Sequence, residues 1–432
     1  MISLQLKPDS SVMKHTFTII ANGCDECLVE SQSVRKYLEQ EKGYHYNDDI
    51  SKADDILLFG CTVTQDIEAE SKDLIAYLNE IKRTDASLHV LGCYAEYHPR
   101  MKEYRDFLPI AEKISNIRNM RDDFAKYTAY DLHRNPPQIT DYMRDHKQQF
   151  FKTYFDVDQI GIARLFSYPF RIMQSYKERL YDTLSACSTN TYCLNVSTGC
   201  RGACSYCSIK LTRGALVSKP MEQVLDDFKR GLSQGYRNFA IMGTDIGFYG
   251  ADIGTSLTKL LGQMLSFRGE YCLKLRNVHP VWLIKNRNEF SGLLKSGKIR
   301  FIQTPVQSGS NRVLRLMNRG YSATDFLETI KMLKKVAPSL VIKTQIIVGF
   351  PGETDDEFRE SLKIIETGMF EIIEVFRYSR HPGTRAWHFS GEVLQHVAKR
   401  RYRKAILKVM FGNLLKKYRA VRFLSGKRRA HD

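Results

Sequence analysis

The sequence predicts an α/β fold: an N-terminal open parallel sheet, then a partial barrel of six βα units, then a basic helical tail. Three observations carry this reading. Short apolar runs alternate with amphipathic stretches up to about residue 125, the same alternation resumes at about 190, and the end of the chain shows helical periodicity with lysine and arginine between the apolar positions. At 432 residues and 43% hydrophobic content the chain can bury two sizeable cores. The expected divisions are 13–125, a linker or insertion at 126–189, the barrel at 190–388 and an extension at 389–432.

In the first division, residues 17–20, 56–59 and 88–91 read as strands and 31–40 and 68–82 as helices, an open sheet with helices on both faces. Each strand run ends in Gly-Cys, at Cys24, Cys61 and Cys93. Parallel strands discharge along one edge, so these three residues can converge there, and the glycines let the backbone come close to a bulky ligand. A single buried cysteine is most simply a core residue, but three in equivalent positions point to a cluster with three protein ligands. Cys27 falls a helical turn beyond Cys24, off the strand end.

The 126–189 segment is rich in aromatic residues, among them Phe150, Phe151, Tyr154 and Phe155, interleaved with Lys147, Lys152 and Arg164. That composition suits packing between domains, and it also suits stacking of single-stranded RNA. Beyond it, residues 192–196, 239–242, 273–276, 301–304, 341–348 and 372–378 read as six strands, with helices such as 221–234 and 356–368 between them. Barrels of this kind carry their site at the carboxyl ends of the strands. After the first of these strands come Cys200, Cys204 and Cys207, spaced CxxxCxxC. Three thiolates so placed can hold three irons of a four-iron cubane and leave the fourth iron open. A zinc site would need a fourth ligand, and no matching His or Cys pair follows. Gly243 and Asp245, and Gln307 and Ser308, follow later strands and are candidates to contact whatever the open iron binds. Cys187 and Cys193 sit in no ligand spacing, and Cys272 reads as a core residue.

In the tail, Val397, Ala398, Tyr402, Ala405, Ile406, Leu414, Leu415 and Tyr418 trace an amphipathic helix, with a break or hinge expected near Gly412. No acidic residue lies between Lys399 and Arg429, and the whole chain carries a formal charge of +17. A basic stripe of this kind gives sequence-independent affinity for RNA, although it could also be a solvated face. Removing the chain after Val393 is expected to spare the cluster chemistry, since all six cluster cysteines lie upstream.

At the Cys200 triad the chain resembles the radical S-adenosylmethionine superfamily. Over most of its length it resembles one branch, the methylthiotransferases, which insert sulfur and a methyl group into a C–H bond of a tRNA base or a protein side chain. The residues that carry the likeness include Ala53-Asp54-Asp55-Ile56, Gly92-Cys93-Tyr94-Ala95, Thr212-Arg213-Gly214, Gln307-Ser308-Gly309-Ser310, Met317-Asn318-Arg319-Gly320-Tyr321, Gly349-Phe350-Pro351-Gly352-Glu353-Thr354 and Tyr378-Ser379-Arg380-His381-Pro382-Gly383-Thr384. The resemblance implies two 4Fe–4S clusters. S-adenosylmethionine would chelate the open iron of one and be cleaved to a 5'-deoxyadenosyl radical, while Cys24, Cys61 and Cys93 would hold the other, which delivers sulfur or carries the methylated sulfur. It also implies an electron donor such as flavodoxin or ferredoxin. Tyr206 matches the family's aromatic before the third cysteine, and Asp245 and Gln307 would offer polar atoms to the cofactor. Gln345 departs from the aspartate common at its position, which puts a cofactor contact there in doubt, and the family's RNA-binding β-barrel has no counterpart after Thr384.

The expected reaction is methylthiolation of a tRNA adenosine derivative near the anticodon. The same chemistry on a protein or peptide side chain is the alternative, and a non-catalytic iron–sulfur protein that binds RNA is the reading from another class. Cluster thiolates require a reducing compartment, so the cytoplasm is expected. No apolar run approaches the ~20 residues that cross a bilayer, and residues 1–14 are too polar for a secretory signal.

Overall fold

The computed structural model describes residues 15–22, 25–98, 129–130 and 191–427; of the helix beyond Met410 it describes the backbone course. Cys24, Cys187 and nearly all of the 126–189 segment lie outside the described residues. The chain divides into two compact units.

The first unit contains β1 (Thr16–Ala21), α1 (Asp25–Glu41), β2 (His45–Tyr46), β3 (Asp55–Gly60), α2 (Gln65–Ile81), whose first residues fall to the second unit, β4 (Ser87–Leu91) and α3 (Gly92–Tyr97). Its four strands are parallel in the order β2-β1-β3-β4. Alternation along the strands divides the core between two faces. Ile20, Ile56, Leu58, Leu88 and Val90 pack with Leu74, Ile75 and Leu78 of α2, while Phe17, Ile19, Leu57 and Phe59 pack with Val34, Tyr37 and Leu38 of α1. This is the predicted open sheet covered on both sides, with β2 as an added edge strand. Asp54 fixes the register between β1 and β3: its Oδ2 accepts from Thr16 N and Thr16 Oγ1, both at 2.7 Å, and its Oδ1 accepts from Arg83 at 2.7 Å. Those bonds, the one from the Thr16 backbone first, hold its carboxyl well below the usual carboxylate range.

The second unit is built on β6 (Thr191–Thr198), β8 (Asn238–Gly243), β9 (Cys272–Leu275), β10 (Ile299–Gln303), β11 (Val341–Val348) and β12 (Ile372–Arg377), all parallel, each beside its successor. The strand order never reverses, so the connecting helices lie on one side, as in a barrel. The six predicted strands are all present. β5 (Ala129–Tyr130), inside the segment read as a linker, and β7 (Val217–Ser218) pair antiparallel with β6. Between the strands run α4 (Ile209–Arg213), α5 (Met221–Ser233), α6 (Leu257–Ser266), α7 (Pro280–Lys285), α8 (Arg287–Leu294), α9 (Asn311–Leu316), α10 (Ala323–Val336) and α11 (Asp355–Glu366).

The helix-facing residues Tyr192, Leu194, Val196, Phe239, Ile241, Leu273, Leu275, Ile342, Ile346 and Val348 form one core with Phe228, Leu260, Phe290, Phe326 and Leu362 of the helices. The opposite, concave face is polar. There Lys343 Nζ lies 2.8 Å from Glu374 Oε1, Gln345 Nε2 donates to Glu374 Oε2 at 2.9 Å, and Arg276 Nε donates to Gln303 Oε1 at 3.3 Å.

The tail is one helix, α12 (Gln395–Lys427), and it passes Gly412 without the break expected there. Its first half is not a detached extension. Ala405 is fully buried in the barrel core, Tyr402, Ile406 and Val409 pack against that core, and Arg401 is 5% exposed. Truncation after Val393 would therefore open the barrel core, which overturns the expectation that such a cut spares the site.

Candidate cluster and cofactor site

The loop carrying Cys200, Cys204 and Cys207 leaves the carboxyl end of β6, directly after a bulge between Asn195 and Ser197 that re-aims the strand. Gly199 turns the chain at φ 72°, where a Cβ would stand 1.9 Å from the Ala215 carbonyl oxygen, so no side chain fits. Four hydrogen bonds then pin the loop to the segment after α9 and to the turn that follows β12. Ser205 N donates to Met317 O at 3.0 Å, Ser205 Oγ to Leu316 O at 2.7 Å, Asn318 Nδ2 to Ala203 O at 2.7 Å, and Ala386 N to Ser205 O at 2.7 Å.

Each of the three thiols receives an N–H. Gly202 N donates to Cys200 Sγ at 3.2 Å, Arg319 Nη1 donates to Cys204 Sγ at 3.1 Å, and the Ile209 backbone serves Cys207. This donor set fits three cluster thiolates, whose sulfurs are tuned by such hydrogen bonds. Among the described residues no three His, Cys, Asp or Glu side chains converge as they would on a single metal ion. A cubane takes one thiolate at each of three corners, so its ligands share no common point. Burial, with Asp245 adding to it, pushes the Cys200 thiol up to about 11, and burial beside Cys204 pushes Cys207 up to about 12. Bound iron supplies the positive charge such thiolates need.

Asp245 lies with Oδ2 3.9 Å from Cys200 Sγ, while its Oδ1 accepts from Gly247 N at 3.1 Å and caps the turn Ile246–Phe248. Burial raises its carboxyl to about 6, against the pull of Arg319. Gln307 adopts φ 70° and is woven into β11 through Gln345 O and Ile347 N, each at 2.8 Å. Its side-chain oxygen is buried without a hydrogen-bond partner among the described residues. Gly243 comes so close to Ser197 that a Cβ would meet its O and Oγ at 2.7 Å. Tyr206 stands edge-on to Phe350, with ring centroids 6.4 Å apart. Two candidates are occupied elsewhere: Ser308 Oγ accepts from Ser310 N at 3.1 Å, and the Gln345 amide is held by Glu374.

Asn195 and Ser197 escaped the sequence reading. Both carry a buried side-chain oxygen with no partner among the described residues, at the end of β6 beside the cluster loop. Their signal was the polar alternation Asn-Val-Ser on an otherwise apolar strand. Arg319, 4% exposed against Cys204, was likewise legible only as part of a motif.

In the first unit, Cys61 and Cys93 follow the neighbouring strands β3 and β4, and β1, which leads toward Cys24, lies on the other side of β3. The glycines before Cys61 and Cys93 serve the loops themselves. A Cβ on Gly92, at φ 76°, would meet Gly60 O at 2.8 Å, and one on Gly60 would meet Tyr94 Cβ at 2.7 Å. Ser71, fully buried on α2, grips the Cys61 peptide: its Oγ accepts from Cys61 N and donates to Cys61 O, both at 3.0 Å. Cys27 is buried within α1, and no disulfide joins the described cysteines.

Residues 194–365 match the radical SAM superfamily and residues 16–108 the uncharacterized protein family UPF0004. The chain is 26% identical to a tRNA-2-methylthio-N(6)-dimethylallyladenosine synthase from Finegoldia magna, over 90% of this chain and 78% of that protein. It is 27% identical to the ribosomal protein uS12 methylthiotransferase RimO from Thermodesulfovibrio yellowstonii, over 94% and 86%. The radical S-adenosylmethionine methyltransferase TsrM from Kitasatospora setae shares the fold, with a TM-score of 0.52 at 14% identity, over 87% of this chain and 77% of that one. A cysteine triad at the head of one barrel, and a separate sheet whose strand ends deliver further cysteines, are what the two matches cover: the chain belongs to the radical S-adenosylmethionine methylthiotransferases, enzymes that use S-adenosylmethionine and 4Fe–4S clusters.

Proposed function

We propose that the protein methylthiolates a tRNA adenosine derivative near the anticodon. Over nine-tenths of this chain, relatives named for tRNA and for a ribosomal protein match at 26% and 27% identity, so full-length likeness does not choose between them. The observation that carries the choice is the outer face of α12. Arg400, Arg403 and Lys404 are exposed one helical turn apart, in a chain of formal charge +17.

In this reading Cys200, Cys204 and Cys207 hold the radical-generating cluster, and Cys24, Cys61 and Cys93 hold the second. When bound, the first cluster and S-adenosylmethionine together supply reductive cleavage and hence hydrogen abstraction from carbon. The protein's part is placement. The orphan oxygens of Gln307, Asn195 and Ser197 are acceptors for the cofactor's ammonium or ribose hydroxyls, Tyr206 and Phe350 wall the site with apolar surface, and the bonds from Met317, Asn318 and Ala386 keep the cluster loop rigid. The electron comes from a low-potential donor of the flavodoxin or ferredoxin class, and the compartment is the cytoplasm. Among the described residues no helix is long and apolar enough to cross a membrane.

Mass spectrometry of tRNA nucleosides from cells with and without the protein tests the acceptor. A methylthio-adenosine derivative that disappears with the gene is the expected result. An unchanged nucleoside profile, with a methylthiolated protein side chain lost instead, would move the acceptor to protein.

A further inference from the structure

We infer that Arg319 sets the reduction potential of the cluster held by Cys200, Cys204 and Cys207, as a permanently charged hydrogen-bond donor to one of its thiolates. The inference rests on the assignment of those cysteines as ligands.

Arg319 is only 4% exposed. Its Nη1 donates to Cys204 Sγ at 3.1 Å, its Nη2 to Pro305 O at 3.1 Å, and its Nε to the Tyr321 hydroxyl at 3.3 Å. Tyr321 is itself anchored by donating to Val306 O at 2.7 Å, so the hydroxyl that receives Nε is fixed. Among the described residues no carboxylate forms an ion pair with Arg319. Asp245 feels its charge but makes no ion pair with it; a cation taken from water without a counter-charge in contact is strongly unfavourable, and a guanidinium does not shed its proton to escape that cost. The partner the geometry supplies is the sulfur of Cys204, which as a cluster ligand is a thiolate. The same segment after α9 fixes the arrangement on both sides, since Met317 and Asn318 bind the cluster loop through Ser205 and Ala203.

Adding an electron to the cluster increases its negative charge, and a buried cation on a ligand sulfur favours that state, as do hydrogen bonds to the sulfurs generally. The bond is present in both redox states, so what counts is the extra attraction to the added electron: one more unit charge a few Å from a cation is worth more than the increment that changes an equilibrium tenfold even at an effective dielectric of about 20. Removing Arg319 should therefore shift the reduced-to-oxidised ratio at fixed poise by at least about tenfold toward the oxidised cluster, which is about 59 mV for one electron.

The test is an electron-paramagnetic-resonance redox titration of the full-length protein, reconstituted without oxygen, in a background with Cys24, Cys61 and Cys93 changed to alanine so that one cluster remains. Arg319→Met is expected to keep its iron and to titrate at least tenfold harder to reduce, with Arg319→Lys between it and the parent. Arg319→Gln, neutral but still a donor, serves as the second neutral variant and should also be harder to reduce. A neutral variant with full iron and a ratio within twofold of the parent would overturn the inference. Loss of iron from both neutral variants, with Arg319→Lys retaining it, would replace tuning by a structural requirement and overturn it as well. If the parent signal persists after Cys200, Cys204 and Cys207 are replaced, it is the ligand assignment that fails.

Discussion

Replacing Arg401 by methionine should destabilise the barrel by about 3–5 kcal/mol, the usual result of removing one partner from a buried ion pair. Arg401 Nη1 donates to Glu353 Oε2 at 2.9 Å and to Glu353 O at 3.0 Å, and the Glu353 side chain is 0% exposed. A second arm reaches Asp355 Oδ1 at 2.8 Å, but that carboxylate faces solvent and adds little. Methionine keeps much of the volume and leaves Glu353 buried without its cation. For a domain of this size the loss corresponds to a fall in Tm of roughly 6–20 °C.

The pH dependence follows from Glu353. Burial raises its carboxyl from the ordinary 4.5 to about 7, although Gly349 N–H and Arg401 pull the other way, and Oε1 has no partner among the described residues. The native state therefore holds a proton that the unfolded chain releases earlier. The group's contribution is fully present below about pH 4.5 and is lost as pH rises toward 7. At 1.36 kcal/mol per pH unit that is about 3 kcal/mol. Without Arg401 the carboxyl should rise further, so the methionine variant should recover much of its stability at pH 5, and adding Glu353→Gln should restore it at pH 8. Differential scanning fluorimetry across pH 5–8 decides this. A single variant within about 2 °C of the parent at pH 8 would refute the reasoning. So would a double variant no more stable than the single.

Other measurements follow from the same structure. The reconstituted protein should hold about eight irons, and replacing Cys200, Cys204 and Cys207 by alanine should leave about half while abolishing 5'-deoxyadenosine formation; chromatography of the cofactor products checks it. Replacing Cys24, Cys61 and Cys93 should preserve reductive cleavage yet abolish sulfur insertion, read by mass spectrometry of the acceptor. Changing Arg400, Arg403 and Lys404 together to glutamine should leave Tm unchanged, weaken tRNA binding and lower the slope of log affinity against log salt by about 2–3; an unchanged slope would remove this face from RNA binding.

Strand and helix order was largely legible, because a buried parallel sheet writes itself as short apolar runs and its covering helices as amphipathic stretches. The edge strands β2, β5 and β7 were not, being two residues each and below any periodicity. The cysteines stand out by spacing alone. What holds them does not: Ser71, on the helix that follows, grips the Cys61 peptide, and Arg319 comes to Cys204 from a distant segment, as Arg401 does to Glu353 in the loop after β11. A serine or arginine reads the same in sequence whether it faces water or a buried partner. The supposed hinge at Gly412 failed for a related reason, since one glycine costs a helix only about 1 kcal/mol and does not have to break it.

Two of the most informative cations thus contribute to the +17 without being available to any phosphate. Arg319 and Arg401 are interior groups, matched to a cysteine sulfur and a carboxylate. Net charge says that a polyanion would be attracted; it does not say where the polyanion would lie. The spacing along α12 singles out one exposed basic face. Ala398, Arg401, Tyr402, Ala405 and Val409 form the stripe turned to the barrel, and Arg400, Arg403 and Lys404 fall on the opposite side because a helix turns every 3.6 residues. One helix therefore braces the Gly349–Glu353 turn with one arginine and offers a basic surface with its neighbours. Cutting the whole helix cannot separate these roles, whereas substitutions on its outer face can.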